Sequence, residues 1–110
     1  MIHALKVWPE YFEEIIAGRK TFEVRKADRP FDAGDLLALN EYSNELGTYT
    51  GRYCLVHVDY MWSDTRYVRE GYVIMSIKPC YISRVGVDLN PDEFGVPCYT
   101  EELLEDTLEE

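Results

Sequence analysis

The sequence predicts a small α+β protein, in which a β-barrel or strongly curved sheet carries one helix inserted after the first strand. Through the first 85 residues, turn residues separate short segments that either alternate between apolar and polar residues or are mostly apolar. One stretch there spaces its apolar residues as a helix does. The 110 residues are 46% hydrophobic and 14% aromatic. That content is enough for one domain with its own core.

The chain opens with a short strand over Ile2–Val7 and continues with a helix that begins at Trp8-Pro9. Proline suits the first helical position because its missing N–H would have no partner there in any case. Gly18 is placed to end the helix in the left-handed cap conformation. The helix presents one apolar stripe, formed by Trp8, Phe12, Ile15 and Ile16.

The second strand, Thr21–Lys26, lies in the most basic stretch of the chain, Gly18–Pro30. Its alternation predicts that Phe22 and Val24 seal the core. The opposite face then presents a hydroxyl, an acid and a base, from Thr21, Glu23 and Arg25. The stretch as a whole holds five of the eleven basic residues: Arg19, Lys20, Arg25, Lys26 and Arg29.

Turn residues delimit the later strands. Tyr72–Ile77 is apolar throughout, which is typical of a central strand, and Pro79 ends or kinks it. Alternation in the long fourth strand places Cys54, Val56, Val58 and Tyr60 on one side. The other segments are a strand at Leu36–Tyr42, a hairpin loop at Ser43–Thr48, a strand at Tyr49–Trp62, a polar loop at Ser63–Gly71 and an edge strand at Tyr81–Val85.

The charge is distributed unevenly along the chain. The net charge is -10, yet residues 1–87 carry 12 acidic and 11 basic residues, while residues 88–110 carry nine acidic residues and no basic one. We therefore expect a folded domain at 1–87 and an acidic C-terminal extension at 88–110. Bulk binding to nucleic-acid phosphates requires a broadly basic surface, so any nucleotide or nucleic-acid site is expected to be local.

The spacing of cysteine and histidine gives no sign of a metal or cofactor. Cys54, Cys80 and Cys98 form no CxxC pair, and His3 and His57 are isolated. The N-terminal residues lack the apolar core of a signal peptide, and no apolar run approaches the ~20 residues that span a bilayer. We expect a cytoplasmic protein with reduced thiols, no cofactor, no metal and no membrane partner.

The stretch LKVWPEYFEEIIAGRKTFEVRKADRPFDAGD resembles the ASCH-domain superfamily, a branch of the PUA-like barrels. The shared pattern is a helix ending in Gly18, then Arg19, Lys20, Thr21 and an apolar residue, then Arg25, Phe31 and Gly34-Asp35. The segments YTGRY and GYVIMSI extend the likeness over residues 3–77. It is especially similar to a short, uncharacterised branch found in phage and bacterial genomes. The resemblance implies a small PUA-like barrel with a helix after the first strand.

Two activities of that superfamily are relevant. Many relatives are thought to bind RNA or nucleotides. A small bacterial subgroup removes the acetyl group from 4-acetylcytidine, and its catalytic lysine corresponds to Lys20. Its nucleophilic threonine corresponds to Glu23 here, which leaves Thr21 as the nearby hydroxyl, and Glu70 lies in the segment that supplies its third member. The resemblance therefore implies Lys20 as a catalytic residue. The chemistry of its neighbours adds Thr21 as a candidate nucleophile, with Glu23 and Lys20 as the adjacent base and oxyanion donor that a hydroxyl needs.

The chemistry of the residues also makes this face a candidate binding site. Lys20 and Arg25 suit a phosphate or carbonyl oxygen, and Glu23 suits the amino or imino edge of a base. Trp8 either stacks on a base or packs in the core, and Arg52 either lines the same cleft or shapes a strand entrance. The alternative is a solvated face whose charges pair weakly. The candidate ligand-binding residues are thus Lys20, Glu23, Arg25, Trp8 and Arg52.

Three functions follow from these observations. The first is binding of RNA, a nucleotide or a modified nucleoside in a basic cleft. The second is amide hydrolysis of an acylated nucleoside such as 4-acetylcytidine. The third is a phage-type protein-interaction module, for which the acidic extension at 88–110 supplies the docking surface.

Overall fold

Within residues 1–83, the part of the chain that the computed structural model describes, five strands form one mixed sheet that curls into a half-barrel. One helix of this part packs against the sheet, so the expected barrel-like α+β class with a helix after the first strand is confirmed. The predicted strand end at Val85, the domain boundary at residue 87 and the acidic extension at 88–110 lie outside the described residues. The elements are β1 (Ile2–Val7), α1 (Pro9–Ile16), β2 (Phe22–Lys26), β3 (Leu36–Ser43), β4 (Thr48–Trp62) and β5 (Tyr72–Ser83).

The strand order across the sheet is β1-β3-β4-β5-β2. β1 and β3 are parallel neighbours. Parallel neighbours need a long crossover connection, and α1 and β2 lie in it. The other neighbours pair antiparallel. β1 and β2 are consecutive in the chain, yet they form the two opposite edges of the sheet.

The helix α1 has the ends that the sequence predicts. Pro9 lies in its first turn, and Gly18 follows its last turn with a φ of 78°, in the left-handed region. The backbone N–H groups of Arg19 and Lys20 both donate to the carbonyl oxygen of Glu14, at 3.0 Å. This reversal turns the chain back against the end of the helix and sets Lys20 at the entrance to β2.

β2 turns the face opposite to the predicted one toward the core. Glu23 and Arg25 are buried, whereas Phe22 is 45% exposed and Val24 is half-buried. The pairing with β5 explains the inversion, because directly opposed residues share a face and Glu23 lies opposite the buried Met75. The prediction that Phe22 and Val24 seal the core was therefore wrong. The burial of β5 decides the face, because Val73 and Met75 lie in the core directly opposite Arg25 and Glu23.

The long strand β4 changes face along its length. Cys54, Val56 and Val58 are buried, as predicted. Tyr60, in contrast, is 66% exposed. The register with β5 shifts between Val58 and Tyr60, which makes Asp59 the extra residue of a bulge. An extra residue inverts the alternation beyond it, so the prediction for Tyr60 was wrong.

β5 runs without a break from Tyr72 through Pro79 to Ser83. The predicted central strand and the described part of the predicted edge strand are thus one element. Its register with β4 shifts beside Pro79, between the partners Leu55 and Val56. The proline kinks the pairing, as a residue without an N–H does in a ladder, and the strand continues past it.

The core lies between α1 and the inner face of the sheet, which is the face that meets the helix. Phe12 and Ile15 of the helix are fully buried there. The strands contribute Leu5, Val7, Leu37, Leu39, Cys54, Val56, Val58, Val73, Met75 and Ile77. Across residues 1–83, no helix has the length and apolar character that crossing a membrane requires.

Candidate functional site

Lys20, Glu23 and Arg25 meet around one carboxylate, and we refer to these three residues as the Lys20 cluster. The side chain of Glu23 is 0% exposed. Its Oε1 accepts a hydrogen bond from Nζ of Lys20 at 2.8 Å, and its Oε2 accepts one from Nε of Arg25 at 2.9 Å. Each carboxylate oxygen thus faces a cation. This compensates a charge that would be costly to bury alone.

Lys20 is the member of the cluster that reaches furthest toward solvent, with its side chain 10% exposed. Its ammonium also donates to the carbonyl oxygen of Phe22 at 2.8 Å. The same nitrogen lies 5.6 Å from the ring centre of Tyr11 and 5.0 Å from that of Phe22. Both distances allow cation–π attraction. The ammonium is therefore held in one position by an acid, a carbonyl oxygen and two aromatic rings.

Cys54 lies in the buried region beside the cluster. Burial raises the pKa of its thiol to about 12, and the negative charge of Glu23 adds to the rise while Lys20 opposes it. The thiol therefore stays protonated at neutral pH, where it is not a nucleophile. Cys80 is also a free thiol, but it is exposed.

Arg25 also joins the two edges of the sheet. Its Nη2 donates to the carbonyl oxygen of Lys6 in β1 at 2.6 Å, and Nη1 of Arg29 donates to that of Ala4 at a longer 3.5 Å. The outward carbonyls of an edge strand have no neighbouring strand to bind them. In a fully closed barrel, backbone hydrogen bonds join the first and last strands. Here arginine side chains bridge the gap between the two edge strands instead. Arg25 is anchored to the scaffold and to Glu23 at once.

Arg52 belongs to a second ion network, which we refer to as the Glu41 network. Its Nε and Nη2 donate to the two oxygens of the buried Glu41 at 2.8 and 2.6 Å, and Nη2 also donates to Glu13 at 2.7 Å. The hydroxyl of Thr50 donates to Glu41 at 2.7 Å. The guanidinium lies 4.8 Å from the ring centre of Phe12. The network ties α1 to β3 and β4.

The Glu41 network shifts the pKa of both of its main partners. Burial by itself would raise the pKa of Glu41, but the hydrogen bonds from Arg52 and Thr50 outweigh it and hold that pKa below its ordinary value. The hydrogen bond to Glu41 in turn raises the pKa of Arg52, so the pair stays ionised at neutral pH. Gly51, with a φ of 92°, lies at the register shift between β3 and β4 and permits the bend beside Arg52.

Trp8 and Thr21 lie at the margins of these clusters. Trp8 is half-buried before the first turn of α1, and its ring centre is 6.5 Å from that of Tyr42. Thr21 is exposed, and its backbone carbonyl accepts a hydrogen bond from the N–H of Ile77 at 3.0 Å. The candidate residues therefore divide among the Lys20 cluster, the Glu41 network, the start of the helix and the approach to β2.

A further buried carboxylate, Asp35, lies before β3. It accepts hydrogen bonds from the backbone N–H of Asp32 at 2.9 Å, as a turn residue does, and it contacts Nε2 of His3 at 2.8 Å. Burial works to raise the pKa of Asp35, but the hydrogen bonds from His3, the Met1 ammonium and Asp32 hold it below the ordinary value. Asp35 thus joins the first strand to the turn before the third.

Sequence reasoning missed the rings beside Lys20 and the acid beside Arg52. Phe22 was predicted to face the core, and the pattern of β5 is the signal that could have placed it outside. Tyr11 lies four residues before Ile15, so the two side chains share one face of the helix. Glu41 follows two apolar residues on one face of β3, and an inward acid in such a strand requires a cation.

The Lys20 cluster suits the binding of an anionic or carbonyl oxygen better than it suits proton transfer. Glu23 is enclosed, and both of its oxygens already face cations. Lys20 presents a fixed ammonium at the solvent side of the cluster. In residues 1–83, no three side chains of His, Cys, Asp or Glu are grouped so as to hold a metal ion.

Comparisons with known proteins find a similar phage protein and a matching family. A 51-residue segment is 41% identical to the "Uncharacterized 12.9 kDa protein in GpA 3'region" of Escherichia phage P2, and it covers 46% of this chain and 45% of that protein. The match thus spans less than half the length of the curated relative. The family model for a domain of unknown function, DUF3850, matches residues 2–77. Because this match covers more than half of the chain, the protein belongs to the DUF3850 family.

Proposed function

We propose that this protein binds a nucleotide, a modified nucleoside or a short single-stranded RNA at the Lys20 cluster. The observation that carries the proposal is the ammonium of Lys20, which is fixed on Glu23 and flanked by the rings of Tyr11 and Phe22. We further propose that the family is a branch of the ASCH superfamily of PUA-like barrels. The half-barrel, the helix after β1 and the lysine after Gly18 support this placement.

A fixed ammonium between aromatic rings matches the two chemical features of a nucleotide. The phosphate or a base carbonyl accepts hydrogen bonds from the charged nitrogen, and the planar base packs against a ring. Preorganisation reduces the entropy that binding costs, because the side chain of Lys20 is already ordered by Glu23. The ligand therefore meets Lys20 first, while Arg25 holds Glu23 in position.

Hydrolysis of an acylated nucleoside is the second candidate, and the contact between Lys20 and Glu23 favours it. The residue that corresponds to the catalytic lysine of the acetylcytidine amidohydrolases lies on a carboxylate at 2.8 Å. However, a carboxylate that acts as a general base and accepts a proton from water needs access to that water. Because Glu23 is enclosed and occupied at both oxygens, the geometry favours binding over hydrolysis.

The test is calorimetric titration of the purified full chain with the four ribonucleoside monophosphates, with 4-acetylcytidine and with an eight-nucleotide single-stranded RNA. We expect binding of at least one ligand and a loss of at least ten-fold in affinity for Lys20→Gln, since a charge-assisted hydrogen bond contributes ~1.5–3 kcal/mol. The matched control is Lys78→Gln, which removes an exposed lysine paired with Asp59 on another part of the sheet.

Circular dichroism establishes that both variants are folded. The proposal is contradicted if the wild type binds none of these ligands, or if Lys20→Gln binds as tightly as Lys78→Gln. Release of acetate from 4-acetylcytidine, abolished in Lys20→Gln, would instead identify the protein as a hydrolase.

A further inference from the structure

The outer face of β2, β5 and the end of β4 is an exposed aromatic surface, which we call the aromatic platform. Two rows of cross-strand neighbours build it: Phe22, Ser76 and Tyr60 in one row, and Val24, Ile74 and Trp62 in the other. Trp62 is 41% exposed, and Phe22 and Tyr60 are more so. Scattered exposed rings are common, but rings in adjacent rows form a continuous patch that is typical of a binding surface.

An open groove of about 300 Å³ runs between the rings of the aromatic platform. Its volume is at the lower end of the range for sites that hold a small ligand. Aromatic and aliphatic side chains form the walls, and Ser76 and Tyr60 add hydroxyl groups. The groove therefore suits one planar ring with a polar edge. Its lining consists of Phe22, Tyr60, Trp62, Ile74 and Ser76.

The platform continues into the loop after β4. The ring of Tyr67 stacks on that of Trp62, with centres 5.8 Å apart and an interplanar angle of 25°. Tyr67 is itself exposed, so the pair forms the start of a stack to which further flat groups can be added.

Cations border the aromatic platform on several sides. The guanidinium of Arg66 lies 5.6 Å from the ring centre of Tyr67, and that of Arg69 lies 5.3 Å from the ring centre of Tyr72. Lys20 lies over the ring of Phe22 at the β2 edge. The positively charged groups thus stand beside the rings on which a ligand would stack.

The charge of this part of the molecule differs from that of the rest. Residues 20–26 and 59–76, which build the platform and its loop, carry five basic and four acidic residues. The other described residues, 1–19, 27–58 and 77–83, carry five basic and eight acidic residues. A polyanion is therefore attracted to the platform and repelled by the remaining surface.

We propose that the aromatic platform binds single-stranded nucleic acid. Unpaired bases stack on Tyr60, Trp62 and Phe22, and the phosphates face the bordering cations. A duplex offers phosphates to the cations, but its stacked base pairs leave no base face free to stack on the aromatic rings. The proposal assigns a second surface beyond the Lys20 cluster, and Lys20 itself lies between the two.

The test is fluorescence anisotropy of a labelled eight-nucleotide single strand, as RNA and as DNA, titrated with the full chain. We expect Trp62→Ala and Tyr60→Ala each to weaken binding at least five-fold, the lower end of what one stacked base contributes. Both side chains are exposed, so the fold survives their removal. Leu46→Ala, in the turn between β3 and β4, removes an exposed apolar side chain far from the platform in sequence and is expected to bind as the wild type does.

Each other outcome decides a separate point. Equal affinity of Trp62→Ala, Tyr60→Ala and the wild type overturns the platform. Competition by polyglutamate as strong as by RNA also overturns it, because the surface would then recognise charge alone. Loss of binding in Lys20→Gln with unchanged platform variants leaves the proposed function standing without the platform. Loss in the platform variants with unchanged Lys20→Gln supports the platform and contradicts the proposed role of Lys20.

Discussion

Glu23 and Glu41 are both buried carboxylates in strands, and each accepts hydrogen bonds at both oxygens. Their surroundings differ in charge. Two basic side chains, Lys20 and Arg25, converge on Glu23. In the Glu41 network the numbers are reversed, because Arg52 lies between Glu41 and Glu13.

The difference separates a candidate ligand site from a structural tie. In the Lys20 cluster the group nearest to solvent is a cation between aromatic rings, which can receive an anionic ligand. In the Glu41 network Arg52 is paired with acids on both sides, Glu41 of the sheet and Glu13 of the helix, so the guanidinium links α1 to the sheet. Burial of an ionised glutamate is common to both and does not by itself indicate a ligand.

The largest expected effect is on stability, and it distinguishes the two glutamates. Glu23→Ala leaves two cations facing an enclosed space, and breaking such a buried pair costs ~3–5 kcal/mol. Glu41→Ala is expected to cost less, ~1.5–3 kcal/mol, because Arg52 is 26% exposed and keeps Glu13. Urea denaturation monitored by tryptophan fluorescence measures both free energies of unfolding.

The control for these two variants is Glu45→Ala, which removes an exposed acid of the β3–β4 turn and is expected to change stability by ~0.5 kcal/mol or less. If Glu23→Ala were as stable as Glu45→Ala, the Lys20 cluster would not be the enclosed ion cluster described above.

The second effect concerns the thiol beside the Lys20 cluster. With a pKa of about 12 against an ordinary 9.0, Cys54 has ~10³-fold less thiolate at pH 8 than an unperturbed cysteine. Iodoacetamide is therefore expected to label the exposed Cys80 and to spare Cys54 in the native protein, as read by mass spectrometry of the digested peptides. Labelling of Cys54 and Cys80 at the same rate in the native protein would show that the core around Cys54 opens readily. As a control, both thiols should be labelled in urea, where the protein is unfolded.

The smallest effect is the pH dependence of the Glu41 network. The pKa of Glu41 is lowered in the folded protein from an ordinary 4.5. The folded state therefore binds the proton more weakly than the unfolded state does, and the stability that Glu41 contributes is complete above about pH 4.5 and lost as the pH falls through the lowered value. We expect Glu41→Gln to flatten the decline of the melting temperature below that pH.

Asp35, whose pKa is also lowered, from 3.8, contributes a decline of the same sign at lower pH. Asp35→Asn is thus the comparison variant for Glu41→Gln. It should flatten the decline of the melting temperature only at the lowest pH values and leave the decline that begins near pH 4.5 unchanged. A wild-type melting temperature that stays constant between pH 6 and pH 3 would contradict the role given to both acids.

Much of the fold could be predicted from local patterns. The helix from Pro9, its end before Gly18 and the buried run in the first part of β4 depend on residues close in sequence, so periodicity and cap chemistry were sufficient. Lys20, Glu23 and Arg25 were identified as candidate site residues because they lie in one basic stretch at a helix-to-strand junction. The part of the chain after residue 83 lies outside the described residues, so the predictions made for it remain predictions.

Other features could not be predicted because they depend on partners distant in sequence. The bulge at Asp59 has no local signature, yet it decides that Tyr60 and Trp62 face outward. The partners of Arg52 could not be predicted from its own segment, because the acids that bind it come from β3 and α1. Neither acid is a neighbour of Arg52 in the chain.

The amino-acid sequence by itself determined the order of elements, the basic junction after the helix and the identity of the residues that meet there. The tertiary structure alone decided which way that junction faces. β2 is a short strand with apolar and charged residues alternating, so its own pattern favours turning Phe22 and Val24 inward. Pairing with β5 reverses it, because one register aligns every inward residue of both strands, and the apolar burial of β5 outweighs the cost of enclosing Glu23 and Arg25 once their charges are paired.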